Sequence, residues 1–287
     1  MIKNAGNLIQ ESTSEDKPVV YIPYIYDASA DSWESLADLD YAANYFEVVT
    51  DSYDGETLTR ASADELASVD YALVRVNSPE HNDGYDEETG EYLPVSLQYG
   101  EYTVTNEAAK EAFANGVTES ALETPYGTQY VTEEEDRSYY GQTVTVTNTQ
   151  DLETILYAAE NCEHVIVCID CTNPMVVSEF EDQVDVILLN FNIVSSTSCS
   201  ANNQDLVDDA IYNIVTGKAE PSGLLPFQIP ADMETVEEQA PDVSRDVECH
   251  VDSEGNTYDF TFGLNWSGVI SDERTETYGV AALGNEA

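Results

Sequence analysis

Side chains that could do chemistry are concentrated in one segment, residues 79–102, which reads PEHNDGYDEETGEYLPVSLQYGEY. Its carboxylic acids lie among tyrosines and other carboxylates, and this setting raises the pKa of a carboxyl group toward the range that proton donation requires. Tyrosine rings can also hold a sugar, because they stack against its CH-rich faces. The ordinary alternative is a solvated acidic loop whose tyrosines pack onto the protein. The segment alone leaves both interpretations open.

The elements that would position this segment are alternating strands and helices. The strand just before it, YALVRVNS, is apolar almost throughout, as in a sheet that is covered on both faces. The predicted strands are 17–27, 46–50, 71–78, 164–170 and 184–193. The predicted helices are 29–46, 62–70, 106–116, 149–163 and 203–217. This alternation is typical of an α/β fold with a mostly parallel sheet.

Two of the predicted helices carry specific local signals. Ser62 and Glu65 have the spacing of a capping box, which predicts a helix start at this point. Gly217 ends the helix that precedes it, because glycine adopts the left-handed conformation without a Cβ penalty. Helical spacing places four residues of that helix on its inward face: Leu206, Ala210, Ile211 and Ile214.

The composition limits the classes of partner. The 57 acidic and 9 basic residues give a net charge of −48, which repels nucleic acids, anionic membranes and polyanionic substrates. We therefore expect no nucleic-acid partner and no membrane partner. A hydrophobic content of 42% with 19 tyrosines excludes a wholly disordered chain. Self-repulsion on this scale destabilises a fold, so we expect salt to stabilise it. A high-salt habitat and an ordinary acidic protein both explain the charge.

Other chemical motifs are weak or missing. Cys168 and Cys171 form a lone CxxC inside HVIVCIDC, a buried-strand pattern that favours core thiols over a redox pair or a metal site. The three histidines have no HxxxH spacing, and no GxSxG, GxGxxG or GxxxxGKS/T motif occurs. We therefore expect no metal and no cofactor. The first residues have no signal-peptide pattern, which favours a cytoplasmic location.

Two motifs in the second half resemble those of one family. GKAEPSGLLPFQIPADM, residues 217–233, is similar to the G…PSG.LP…P element of the C-terminal α/β-sandwich domain of family 3 glycoside hydrolases, the β-glucosidase and β-xylosidase group. YDFTFGLNW, residues 258–266, is similar to that family's Y.FG.GLSY-like segment, and the opening IKNAGNLI resembles the start of the same domain. The resemblance extends from about residue 2 to about residue 278. It implies a three-layer α/β/α sandwich with a sheet of about 5–6 strands and long loops.

The resemblance also implies a catalytic role for the acidic segment. Retaining glycosidases need a nucleophilic carboxylate and an acid/base carboxyl group about 5–5.5 Å apart. In this family the acid/base comes from a loop of the second domain, which by position follows the strand 71–78. The carboxyl candidates are Glu80, Asp83, Asp86, Glu87, Glu88 and Glu91, of which we select Glu87, Glu80 and Asp86; Glu87 comes first because GYDEE resembles the family's aromatic-x-Glu arrangement. The substrate-binding candidates are Tyr85, Tyr92 and Tyr99.

The implied partners are a β-linked glucoside or xyloside and a (β/α)8 barrel domain or chain, which in this family carries the nucleophile. No barrel sequence precedes Ile2, so the resemblance implies that the chain is inactive alone. The alternative is a non-catalytic carbohydrate-binding or assembly module. We interpret residues 1–287 as one domain, with a core at about 17–230, an acidic spacer and aromatic tail at 231–278, and a frayed tail at 279–287. One departure from the family is the long polar link at about 192–203.

Overall fold

A computed structural model describes residues 1–81, 85–86, 91–92, 94–105, 117–124, 127–134, 140–191, 202–239 and 243–279. The predicted helix at 106–116 and residues 192–201 of the polar link lie outside the described residues. The strands, in chain order, are β1 Lys3–Asn4, β2 Val19–Ile22, β3 Ile25–Asp27, β4 Ser32–Glu34, β5 Glu47–Thr50, β6 Ser52–Tyr53, β7 Leu58–Thr59, β8 Tyr71–Asn77, β9 Tyr85–Asp86, β10 Glu91–Tyr92, β11 Tyr102–Thr103, β12 Val117–Thr124, β13 Gly127–Glu134, β14 Thr143–Val144, β15 Val165–Asp170, β16 Val186–Asn190, β17 Leu264–Asn265 and β18 Gly268–Val269. The α-helices are α1 Leu39–Ala42, α2 Ala63–Leu66, α3 Gln150–Asn161, α4 Asn202–Val215, α5 Met233–Glu238 and α6 Glu273–Tyr278, and 3-10 turns occupy Ala5–Asn7 and Glu181–Gln183.

Six strands form the central sheet, in the order β1-β16-β15-β8-β2-β5. Strands β5, β2, β8, β15 and β16 run parallel, and β1 pairs antiparallel with β16 at one edge. In the middle of the sheet Val167 lies opposite both Val74 and Ile187. The chain first adds β5 on one side of β2 and then β8 on the other side, so the strand order reverses between β2 and β8. Open α/β sheets bind their ligands at the carboxyl ends of the strands beside such a reversal.

Each face of the sheet is covered, which explains the nearly continuous apolar strands. On one face Tyr21, Val74 and Val167 pack with Ile155 and Ala158 of helix α3. On the other face, Val20, Leu73 and Ile166 pack with three residues of helix α4, namely Ile211, Tyr212 and Val215. Side chains alternate between the two faces along each strand, as a pleated sheet requires. The predicted fold class, an α/β sandwich with a mostly parallel sheet, is therefore confirmed.

Local signals located several elements correctly. Helix α2 begins at the predicted capping box, where the Ser62 hydroxyl accepts from the backbone N–H of Glu65 and the Glu65 carboxylate accepts from the backbone N–H of Ser62. Helix α3 lies inside the predicted range 149–163. Gly217 has φ +70°, and a Cβ atom there would lie 2.0 Å from the carbonyl oxygen of Gln10. Only glycine fits this helix end.

The first strand and the first helix were predicted wrongly. The range 17–27 contains two strands, of which β2 enters the central sheet and β3 pairs with β4 in a separate hairpin. Residues 29–46, predicted as one helix, contain β4 and only the short helix α1. The hairpin places Tyr26 beside Trp33, with ring centroids 5.4 Å apart. This aromatic contact and the Asp38 cap of α1 override the helical spacing.

The inward face of helix α4 also differs from the prediction. Ile211 is buried as predicted, but Leu206 is 67% exposed and Ala210 is exposed. Asp208 and Tyr212 are buried instead. The reason lies in strand β8, where the buried Arg75 forms an ion pair with Asp208 and thereby sets the rotation of the helix.

The segment 217–233 leads the chain back onto the core. Leu225 and Ile229 are buried, and their backbone N–H groups donate to the carbonyl oxygens of Phe262 and Tyr258, respectively, in the aromatic tail. Tyr258 is itself fully buried and stacks on Phe262. The two family-like motifs are therefore one packed unit, in which each supplies backbone partners to the other.

The net charge of −48 predicts a fold that salt stabilises. Raising NaCl from about 0.1 M to about 1 M shortens the screening length from about 10 Å to about 3 Å and weakens the repulsion between surface carboxylates. We expect the temperature of thermal unfolding, followed by circular dichroism, to rise by several degrees. A neutral osmolyte at matched osmolality is the control. An unfolding temperature that stays constant or falls with NaCl contradicts this prediction.

Candidate functional site

A cleft of about 440 Å³ lies at the reversal of the strand order. Strand β2 leads into its first wall at Ile25, and strand β8 ends in it at Asn77. Helix α3 closes the other side with Asp151 of its first turn. The cleft is lined by Ile25, Tyr26, Asp27, Ala28, Ser29, Glu34, Leu36, Asn77, Glu80, Thr147, Asn148 and Asp151. This is the position at which doubly wound sheets bind small molecules.

The lining of the cleft is acidic. Four of its residues are carboxylic acids, Asp27, Glu34, Glu80 and Asp151, and among the described lining residues none is basic. Asp27 accepts hydrogen bonds from the hydroxyl and backbone N–H of Ser29 and from the backbone N–H of Ala30, and these bonds lower its pKa. The site therefore suits a ligand that presents hydroxyl groups or positive charge rather than an anion.

The hairpin that carries Asp27 and Glu34 is held by Arg60. The Arg60 guanidinium lies over both the Trp33 ring of β4 and the Tyr157 ring of α3, 5.2 Å from each centroid. It also forms an ion pair with Asp51, at 2.8 Å, and donates to Thr154 of α3 at 3.0 Å. Because one cation joins the hairpin to the helix, the opposite walls of the cleft are fixed relative to each other.

Glu80, a predicted acid/base candidate, lies in this cleft at the start of the acidic segment. Its backbone is fixed on both sides: its N–H donates to Asn148 Oδ1 at 2.7 Å, and its carbonyl accepts from the N–H of Thr147 at 2.7 Å. Its side chain remains open to solvent. Partial desolvation, together with the negative charge of Asp27, raises the pKa of Glu80. A general acid needs a pKa shifted in this direction.

Asp151 also lines the cleft and is not among the residues that the sequence pointed to. It is fully buried, and its Oδ2 accepts from Asn148 Nδ2 at 2.9 Å and from the backbone N–H of Asn77 at 3.3 Å. Burial raises the pKa of Asp151 to about 7, the two hydrogen bonds oppose this rise, and the charge of Glu80 adds to it. In the sequence it is one acidic residue in the first turn of an amphipathic helix, where carboxylates are common.

The remaining candidates of the acidic segment lie partly outside the described residues. Glu87 is among those outside. Strand β9, which contains Tyr85 and Asp86, pairs antiparallel with strand β10, in which Tyr92 lies opposite Tyr85.

Tyr99 lies in the core rather than at a surface. Its side chain is 0% exposed and packs near Phe180, and its hydroxyl donates to the carbonyl of Asn77. Burial raises the pKa of Tyr99 well above its ordinary value. No face of this ring is open to a sugar, so the position does not fit the predicted substrate contact. Tyr99 instead supports the end of strand β8 from inside the protein.

A second charged cluster surrounds Arg75 at the same end of the sheet. Arg75 pairs with Asp208 and, at 3.1 Å, with Asp170 at the end of β15. Asn190, at the end of β16, donates to the same Asp170 carboxylate at 2.5 Å. Asp170 is therefore neutralised by an internal partner, which favours a structural role for it.

The CxxC cysteines are core thiols. Cys168 and Cys171 are buried and free, and burial raises the pKa of each thiol to about 12. Within the described residues, no group of three or more histidine, cysteine, aspartate or glutamate side chains could hold a metal ion. No helix in the described part of the chain is both long and apolar enough to cross a membrane.

One family model and two solved structures match this chain. A family model, the glycosyl hydrolase family 3 C-terminal domain, matches residues 19–266. A β-glucosidase from Chaetomella raphigera, D2-BGL, is similar in structure at 15% sequence identity with a TM-score of 0.44, over 92% of this chain and 34% of that one. A family 3 β-glucosidase from Neurospora crassa is similar at 13% identity with a TM-score of 0.43, over 92% of this chain and 30% of that one.

No curated protein matches the chain significantly. The chain spans 34% and 30% of the lengths of the two β-glucosidases. The family match covers most of the sequence and includes all the parallel strands of the central sheet, the cleft and both family-like motifs, residues 217–233 and 258–266. The chain therefore belongs to the family of glycosyl hydrolase family 3 C-terminal domains.

Proposed function

We propose that this chain is the acid/base domain of a retaining β-glycosidase that cleaves β-linked glucosides or xylosides. The observation that supports the proposal best is the position of Glu80, whose pKa is raised at an acidic cleft beside the reversal of the strand order. The acidic segment begins there, and it contains the other two acid/base candidates, Asp86 and Glu87. A barrel domain or chain supplies the nucleophile.

The proposed reaction has two steps. The barrel carboxylate attacks the anomeric carbon while one carboxylic acid of the segment protonates the departing oxygen. The same group, now a carboxylate, then takes a proton from the water that hydrolyses the glycosyl-enzyme intermediate. Asp27 and Glu34 accept hydrogen bonds from the sugar hydroxyl groups at the rim of the cleft, and Tyr85 and Tyr92 stack against the sugar.

Leaving-group chemistry tests this proposal. In an enzyme that joins this chain to a family 3 barrel, Glu80→Gln, Asp86→Asn and Glu87→Gln are assayed one at a time. Replacing the true acid should lower kcat/KM for phenyl β-glucoside, whose leaving group needs a proton, far more than for dinitrophenyl β-glucoside, whose leaving group does not. Azide should restore turnover of the dinitrophenyl substrate, because it attacks the intermediate without a general base. Glu56→Gln, on an exposed turn, is the matched control.

The chain alone should hydrolyse neither substrate. Turnover by the isolated chain that disappears with a single carboxylate replacement would place both catalytic groups here and contradict the proposed division of labour. Equal losses on both substrates for every variant would contradict the acid/base assignment. Calorimetric titration of the isolated chain with cello-oligosaccharides then separates a non-catalytic carbohydrate-binding module, which binds them, from an assembly module, which does not.

A further inference from the structure

Residues 77–80 connect the end of strand β8 with the first residues of the acidic segment, and nearly all of their backbone polar groups are bound. The carbonyl of Asn77 accepts from the Tyr99 hydroxyl, and the backbone N–H of Ser78 donates to the carbonyl of Asp170 at 3.0 Å. The Ser78 hydroxyl lies 3.0 Å from the hydroxyl of Thr172 and accepts from the backbone N–H of the same residue. Ser78 is 1% exposed. The connection is therefore anchored to the core before it reaches the acidic residues.

One side chain, Asn148, holds most of this connection. Its Oδ1 accepts from the backbone N–H of Glu80 at 2.7 Å, and its Nδ2 donates to the carbonyl of Ser78 at 3.2 Å. The same Nδ2 donates to Asp151 Oδ2 at 2.9 Å. Asn148 is 5% exposed, so water does not compete for these bonds.

Asp151 completes the arrangement from the first turn of helix α3. Its Oδ2 accepts from the backbone N–H of Asn77 and from Asn148, so the carboxylate fixes both the end of the strand and the orientation of the amide that holds Glu80. The backbone N–H of the neighbouring Thr147 donates to the carbonyl of Glu80. The backbone N–H and carbonyl of Glu80 are thus bound by Asn148 and Thr147, two consecutive residues that precede helix α3.

We propose that Asn148 and Asp151 are positioning residues that set the place of Glu80 and of the first residues of the acidic segment. The inference rests on the proposed function, because it assigns these two residues to the delivery of the acid/base group. They do not touch substrate in this role. They act through the backbone of residues 77–80.

The first test uses the chain alone and does not depend on catalysis. Amide hydrogen exchange, followed by NMR, reports the opening of the N–H groups of Asn77 and Glu80. We expect Asn148→Ala and Asp151→Ala to speed exchange at these amides by at least about tenfold more than at core amides of β15, because local opening is governed by local hydrogen bonds. Asp151→Asn keeps an acceptor oxygen at this position and should restore slow exchange at Asn77.

The matched control is Asn4→Ala. Asn4 is also a buried asparagine that binds backbone groups on both sides of its amide, through the N–H and carbonyl of Ile9, and it contacts no residue of 77–80. Its replacement should lower global stability without a selective effect at Glu80. If Asn148→Ala speeds exchange at Glu80 no more than Asn4→Ala does, the inference is wrong.

The second test uses the barrel-containing enzyme. Asn148→Ala should lower kcat/KM for phenyl β-glucoside more than for dinitrophenyl β-glucoside, because kcat/KM reports the first step and only the phenyl leaving group needs a proton in that step. Equal effects on the two substrates would overturn the positioning role. The failures of the two proposals are distinguishable. If no carboxylate of the segment shows leaving-group dependence, the proposed function fails. If one does and Asn148→Ala does not, only the positioning inference fails.

Discussion

Replacing Lys3 with methionine should lower the free energy of unfolding by about 3–5 kcal/mol, the usual cost of removing one partner of a buried ion pair. Lys3 Nζ lies 2.6 Å from Glu181 Oε1, and the two side chains are 2% and 5% exposed. Methionine matches the lysine stem in volume but leaves the Glu181 carboxylate buried without its cation. Small domains have a total stability of only about 5–15 kcal/mol, so this loss is a large share of it.

The effect is large because Glu181 joins three distant parts of the chain. It binds Lys3 in the edge strand β1, accepts from the Ser253 hydroxyl at 3.2 Å and lies 3.4 Å from His250 Nε2. Burial alone would raise the pKa of Glu181, but its bonds to Lys3, Ser253 and His250 lower it overall. Because the pKa of Glu181 is lower in the folded state than in the unfolded state, its ionisation stabilises the fold at pH values above its unfolded pKa of about 4. This stability is lost as the pH falls through the pKa of the folded state.

Urea unfolding measures this prediction, because guanidinium chloride is itself a salt and would screen the charge of −48. Lys17→Met is the matched control. It removes the same charge from an exposed lysine, whose Nζ donates to the carbonyl of Ala43, and should cost less than about 1 kcal/mol. The double variant Lys3→Met/Glu181→Gln should recover part of the loss, since no unpaired charge stays buried. Equal losses for Lys3→Met and Lys17→Met would show that the pair is not a structural anchor.

The parts of the fold that could be predicted are those set by local chemistry. The capping box at Ser62, the apolar strand β8 and helix α3 are encoded in their own residues. The β3–β4 hairpin was missed because helical spacing does not reveal its contacts: Tyr26 packs beside Trp33, and Arg60 lies over the Trp33 ring from outside the hairpin. The rotation of helix α4 was missed for a related reason. The one signal for it in the sequence is Arg75, a charged residue inside the apolar strand β8. A buried arginine needs an acidic partner, so an acidic residue of the covering helix had to face the sheet.

The residues of the candidate site likewise differ in whether the sequence could reveal them. Glu80 could be found because it directly follows a strand end and opens an acidic segment. Asp151 could not, since nothing in QDLETILYAAEN distinguishes a buried carboxyl group from a solvated one in the first turn of a helix. Its burial depends on the packing of α3 against strand β8, which is a tertiary contact. Asp151 was not among the predicted site residues although it lines the cleft, and Tyr99 was predicted as a ligand contact although it fills the core. An aromatic residue in a polar segment favours the prediction of a surface-exposed ring, but the Tyr99 side chain is buried.

Replacing Asp151 with asparagine should stabilise the chain above neutral pH. Burial raises the pKa of Asp151 to about 7, whereas an unfolded aspartate titrates near 4. The folded state therefore binds a proton that the unfolded state releases, and stability falls as the pH rises between these two values. Integrated over this window, the loss amounts to about 4 kcal/mol, an upper value for one buried carboxyl group.

Asparagine keeps an acceptor for Asn148 and for the backbone N–H of Asn77 but carries no charge. It also removes the repulsion from Glu80, which faces the same cleft with Asp27 and Glu34. Below pH about 4 the native carboxyl is protonated in both states, and the variant should then match the wild type. Above pH about 7 the variant should be more stable by about 1–4 kcal/mol.

Urea unfolding of both proteins across this pH range measures the difference, and Glu153→Gln, an exposed acid on the same helix, is the control. The direction of the pH dependence separates Asp151 from Glu181. The raised pKa of Asp151 makes stability fall as the pH rises, whereas the lowered pKa of Glu181 makes stability rise with pH in the acidic range. The two effects act in opposite directions and in largely separate windows. A difference between Asp151→Asn and wild type that stays constant across the pH range would mean that Asp151 does not titrate in the folded protein near neutral pH. The residue would then support residues 77–80 through its hydrogen bonds alone.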